Sequence, residues 1–124
     1  MSLKYQSAFI ALAARKFELL IEFYGALLGQ KPTPYIPNVY GEFNLSGLCL
    51  GIFQPKENHQ DEFSGVKSAM SLCLEVDDLE KAIAFLTHLG SAPPGTINIA
   101  SHGKEIYAFD PEGNRLILYQ RELR

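Results

Sequence analysis

One pattern occurs twice in this chain, and that duplication limits the fold more than any other feature. The first copy opens with a short apolar segment over residues 5–14, closed by Arg15 and Lys16. Periodicity alone leaves that segment open between a buried strand and a helix start. Next, Phe17, Leu20, Ile21, Tyr24, Leu27 and Leu28 recur at helical spacing, and Gly29 stands where a helix end favours a left-handed residue. Pro32, Pro34 and Pro37 forbid continuation of the helix. Strands are expected around Tyr35, over 39–45 and over Leu48–Phe53, with Ser46 and Gly47 as a hairpin turn between the last two.

The second copy has the same order. A strand is expected over 71–76. Asp77 is placed to cap a helix, with Glu80 three residues on. Leu79, Ala82, Ile83 and Leu86 form the helix's apolar face, and Gly90 ends it. Strands over 96–100, 105–109 and 115–119 follow, the last two joined by the turn Asp110, Pro111, Glu112, Gly113, Asn114. The spacings agree: 14 residues separate Phe9 from Phe23 and Ser71 from Phe85, and each helix closes on Leu-Gly. A solenoid needs at least three units, so two copies of strand–helix–strand–strand–strand are a tandem duplication. Residues 1–124 read as one domain, with module one at about 4–54, a polar linker at about 55–67 and module two at about 68–122.

Composition narrows the function. With 47% hydrophobic and 20% charged residues, the chain can build an ordinary core. A net charge of −3 and no basic stripe argue against nucleic acid as a partner. No apolar run is long enough to span a bilayer, and no signal-peptide pattern stands at the N-terminus. Cys49 and Cys73 give neither a disulfide framework nor a paired-cysteine zinc motif, so the expectation is a soluble, reduced, cytoplasmic protein.

Three motifs carry a resemblance: IEFYGALLG at 21–29, LEVDDLEKAIAFLTHLG at 74–90 and YAFDPEGNRLILYQ at 107–120. Over essentially its whole length the chain resembles the vicinal oxygen chelate superfamily, which includes glyoxalase I, extradiol dioxygenases and bleomycin- and fosfomycin-resistance proteins. The resemblance implies an α+β fold: paired βαβββ modules forming an eight-stranded, U-shaped open barrel with helices on the outer face and a cleft within. In that superfamily a divalent metal, held by His or Glu from the first and last strand of each module, chelates two substrate oxygens and stabilises a developing anion. Carried over residue by residue, the four ligand positions fall on Phe9, Gly51, Ser71 and Ile117. None is a credible ligand, and neither are the neighbours Ala8, Ile10, Leu50, Ile52, Met70, Leu72, Leu116 and Leu118. The resemblance without its ligands implies no metal and no other cofactor, as in the bleomycin-binding type.

Side chains alternate along a strand. If Phe9, Gly51, Ser71 and Ile117 face the cleft, so do Ala11, Ala13, Cys49, Phe53, Cys73, Glu75 and Tyr119. The opposite face is aliphatic: Ile10, Leu12, Leu48, Leu50, Ile52, Leu72, Leu74, Val76, Leu116 and Leu118. This asymmetry points to one core face and one ligand face that suits an apolar or planar small molecule. The plainer readings stand beside it. Phe9, Phe53 and Tyr119 can fill the cleft themselves. Free cysteines are most often buried and inert. Ser71 lacks a base, and Glu75 is either exposed at a rim or the one acid/base or anchoring group. His59 falls in the linker, His88 at a helix end and His102 in a turn, so none is expected to ligate a metal.

The leading function is therefore a metal-free, cytoplasmic protein that binds a small organic molecule, a homodimer as the resemblance implies, with cleft candidates Phe9, Cys49, Gly51, Phe53, Ser71, Cys73, Glu75, Ile117 and Tyr119. An enzyme of the same fold with a shifted metal site (a lyase, isomerase or dioxygenase relative) is the alternative, and a structural or regulatory partner with a filled cleft is the third.

Overall fold

The computed structural model describes Lys4 and residues 6–63, 68–100 and 103–122. The chain divides into two compact units, Met1–Ser64 and Gly65–Arg124, each containing one copy of the repeat.

In the first unit the order is β1 (Ile10–Ala13), α1 (Phe17–Leu28), β2 (Tyr35–Ile36), β3 (Tyr40–Leu45) and β4 (Leu48–Phe53). These strands form a mixed sheet in the order β1-β4-β3-β2. β1 runs parallel to β4, as a helical crossover requires, while β3 and β4 are an antiparallel hairpin closed by the Leu45–Leu48 pair. Gly47 turns that hairpin at φ +81°, a conformation in which glycine carries no Cβ penalty. Helix α1 ends at Gly29, whose φ of 64° lets its N–H donate back to the Gly25 carbonyl. Leu20, Ile21 and Tyr24 of α1 pack on Phe43, Leu50 and Ile52 of the sheet, and all six are buried. Burying each such side chain contributes roughly 1.5–3 kcal/mol. Gly41 makes the approach possible, because a Cβ there would overlap Ile21 Cδ1. The short strand β2 is tied to the helix: the rings of Phe17 and Tyr35 stack at 6.4 Å, and Tyr35 Oη donates to Glu18 Oε1 at 2.6 Å.

In the second unit β5 (Leu72–Glu75), α2 (Leu79–His88), β6 (Asn98–Ala100), β7 (Gly103–Phe109) and β8 (Arg115–Arg121) repeat the design, with sheet order β5-β8-β7-β6. The parallel pair is now β5 with β8. Leu79 and Leu86 of α2 are buried, as are Ile106, Ala108, Leu116 and Leu118 of the sheet. The β7–β8 turn is organised by Asp110, only 4% exposed. Its carboxylate accepts from the backbone N–H groups of Glu112 and Asn114, both at 2.9 Å, and from Asn114 Nδ2 at 2.7 Å.

One expectation needs correction. Asp78, not Asp77, caps α2: its side chain accepts from Lys81 N at 3.1 Å, and Gln120 Oε1 accepts from Leu79 N at 2.7 Å. Both residues suit the role by type, and the chain enters the helix one residue later than the motif suggested. Within the expected polar linker, Glu57–Glu62 forms a 3-10 helix. His102 and linker positions 64–67 lie outside the described residues.

Candidate functional site

In each unit the helix covers one sheet face, and register assigns the residues of the other. In the first unit β4 pairs with β1 and β3 so that Ala11, Ala13, Tyr40, Glu42, Asn44, Cys49, Gly51 and Phe53 share the helix-free face. The core residues Phe43, Leu50 and Ile52 lie on the other face, so the parity expected for β4 holds. Phe9 stands apart: it precedes β1 and is 59% exposed.

Three members of this face were not foreseen: Tyr40, Glu42 and Asn44 on β3. Tyr40 Oη donates to Glu42 Oε1 at 2.8 Å. The thiol of Cys49 donates to Asn44 Oδ1 at 3.0 Å. Gly51 is what lets the phenol lie across the sheet, because a Cβ there would sit 2.7 Å from Tyr40 Oη and 3.0 Å from its Cε1. Partial burial, followed by the hydrogen bond to Glu42 and the nearby Glu42 and Cys49 charges, raises the Tyr40 pKa above its ordinary value. Phe53 meets Phe63 edge to face at 5.3 Å. The signal for the β3 residues was present. A two-residue turn at Ser46 and Gly47 fixes the Leu45–Leu48 pair, and counting outward places Asn44, Glu42 and Tyr40 opposite Cys49, Gly51 and Phe53.

In the second unit Cys73 is the register partner of Ile117, and Glu75 of Tyr119. Tyr107 and Glu105 on β7 pair with Ile117 and Tyr119, so they share this face. Glu75 is exposed and meets Arg121 Nη2 at 3.4 Å, a contact that contributes little in water. Ser71 precedes β5, and its Oγ accepts from Arg115 Nε at 2.6 Å. The same guanidinium donates through Nη2 to the Ser68 carbonyl at 2.7 Å.

The expectation of buried cysteines is overturned. Cys49 is half-buried and Cys73 exposed, because both fall on helix-free faces rather than in the cores.

The donor set does not fit the metal of the superfamily. Phe9 and Ile117 have no donor atom, Gly51 has no side chain, and the Ser71 hydroxyl is held by a guanidinium whose charge opposes a divalent cation. Among the described residues no three His, Cys, Asp or Glu side chains gather into a candidate metal site. His59 and His88 stand in the 3-10 helix and at the end of α2, respectively.

No family model and no curated relative matches the sequence. Solved structures do match it. A glyoxalase/bleomycin resistance protein/dioxygenase family enzyme from Burkholderia phytofirmans superposes with a TM-score of 0.77 at 15% identity, over 92% of this chain and 97% of that one. The bleomycin resistance determinant encoded on transposon Tn5 does so with 0.66 at 23%, over 96% and 100%. A glyoxalase-related enzyme from Fulvimarina pelagi gives 0.71 at 21%, over 94% and 88%. The chain thus has the α+β fold of the glyoxalase and bleomycin resistance structures, as its motifs implied.

Proposed function

We propose that this chain, built on the glyoxalase/bleomycin resistance fold, binds a small apolar or planar organic molecule and does so without a metal. One observation carries the reading. The four positions at which the resemblance places metal ligands are Phe9, Gly51, Ser71 and Ile117, while the helix-free faces around them hold aromatic, thiol and single polar groups. Such a surface favours apolar contact with a few hydrogen bonds over Lewis-acid chemistry. The binding residues of this reading are Cys49, Gly51, Phe53, Cys73, Glu75, Ile117 and Tyr119, with Phe9 and Ser71 at the strand entries.

The protein acts as a homodimer in this reading. Each sheet has two edge strands, β1 and β2 in one unit and β5 and β6 in the other. Edges of this kind call for cover, and a twofold interface is the commonest closed solution. No helix among the described residues is long and apolar enough to cross a membrane.

Native mass spectrometry of freshly purified protein tests all three statements together. The expected species is twice 13.8 kDa, free of metal, with a non-covalent organic adduct that is lost on activation. A stoichiometric metal ion, or a monomer at micromolar concentration, contradicts the corresponding statement.

A further inference from the structure

Glu42 is the one charged side chain in the four strands of the first unit. It is half-buried on the helix-free face. Its carboxylate receives a single neutral donor, the Tyr40 hydroxyl, on Oε1. Among the described residues it makes no ion pair. A half-buried carboxylate without a counter-ion is electrostatically incomplete, and a cation brought to it gains more than it would in bulk water. In the second unit Glu75 has Arg121 and Asp110 is held by its own turn, while Glu105 is also half-buried on the helix-free face but stands opposite Tyr119, with no glycine to lay an aromatic ring beside it.

The surroundings favour a flat cation. Because Gly51 has no side chain, the Tyr40 phenol lies along the sheet with its Oη, Cζ and Cε1 where a Cβ at 51 would stand. Phe53, the cross-strand partner of Tyr40, stands beside it and is braced edge to face by Phe63. A cationic ring laid on the phenol gains cation–π attraction and can present its N–H donors to the second Glu42 oxygen.

We infer that Tyr40, Glu42 and Gly51 form the polar anchor of the ligand face and select a small planar cation of the amidinium or arylammonium type. The inference rests on the small-molecule reading above and adds the sign and shape of the ligand.

Benzamidine, neutral benzamide and benzoate are the probes, followed by amide chemical shifts in NMR titrations. Benzamidine is expected to perturb residues 40–44 and 51–53 and to bind about tenfold more tightly than benzamide, the gain expected from one charge-assisted hydrogen bond. Benzoate is expected to bind more weakly than either. Glu42→Gln is expected to abolish the preference for benzamidine. Tyr40→Phe, which leaves the carboxylate and removes its competing donor, is expected to keep it. Equal binding of benzamidine and benzamide overturns the inference and leaves the small-molecule reading standing. A preference that survives Glu42→Gln, or disappears in Tyr40→Phe, overturns it as well. If neither benzamidine nor benzamide binds, this inference fails, and recovery of an organic adduct by native mass spectrometry then decides whether the parent reading also falls.

Discussion

A methyl group at position 51 would meet the Tyr40 hydroxyl at 2.7 Å, so Gly51→Ala must push the phenol off the sheet and away from Glu42. The far end of a side chain can move, and the cost is therefore the lost hydrogen bond and ring contact, about 1 kcal/mol. In a Tyr40→Phe background the hydroxyl is already gone, and the same substitution is expected to cost measurably less. Urea unfolding of the two single variants and the double variant reads this coupling, and strict additivity would show that the ring does not depend on Gly51. The tyrosines offer a second test at this scale. Tyr35 is raised above its ordinary 10.0 by its hydrogen bond to Glu18, then by burial and by the Glu18 and Glu22 charges. Tyr40 is raised chiefly by burial and then by Glu42. A phenol whose pKa is higher folded than unfolded lends stability that is fully present below pH 10 and is lost as pH rises through the folded value. Phenolate absorbance should therefore show two late-titrating tyrosines. Glu18→Gln should return Tyr35 toward the ordinary value while leaving Tyr40 late.

At the scale of elements, the cap of α2 separates sequence reading from structure most cleanly. Asp78→Ala is expected to cost about 1 kcal/mol, the usual value of a side-chain N-cap, while Asp77→Ala should change stability by only a few tenths. Thermal melts of the two variants decide it, and the opposite ranking would restore the Asp77 assignment. The error has a physical origin: two adjacent aspartates are equally good caps by type, and only the path of the chain between β5 and α2 chooses between them. The turns were legible because their chemistry is local. Gly47 needs positive φ, and Asp110 satisfies donors two and four residues on. The parity of β4 and β8 was legible because a buried aliphatic stripe alternates with mixed residues. What escaped was β3, where the polar group that matters, Glu42, reads as an ordinary solvent-facing residue until the hairpin register sets it opposite Gly51. The cysteines show the two signals in competition. Strand parity puts both on the helix-free faces, as expected, while residue type favours burial, and parity governs their exposure.

For the molecule as a whole, the question is whether stability depends on a bound ion. A ligand that binds only the folded state raises stability by mass action, and its removal appears directly in the melting temperature. At the four positions that the resemblance marks, neither unit supplies donors. In the first, the position at Gly51 is covered by the Tyr40 ring, and Phe9 is apolar. In the second, Ile117 is apolar, and Arg115 sits on the hydroxyl of Ser71. Ile117→Glu should accordingly bind no metal, because one carboxylate with a single thiol, Cys73, opposite it falls short of the three or four protein ligands of a zinc site. It should instead lower stability by roughly 1–3 kcal/mol, the range for a half-buried polar group without a partner. For the unaltered protein, dialysis against EDTA is expected to leave the melting temperature where it was, and zinc or manganese added afterwards should not raise it. A fall of several degrees on chelation, reversed by either metal, would mean that donors outside the superfamily's positions hold an ion. The enzyme reading with a shifted metal site would then replace the metal-free one.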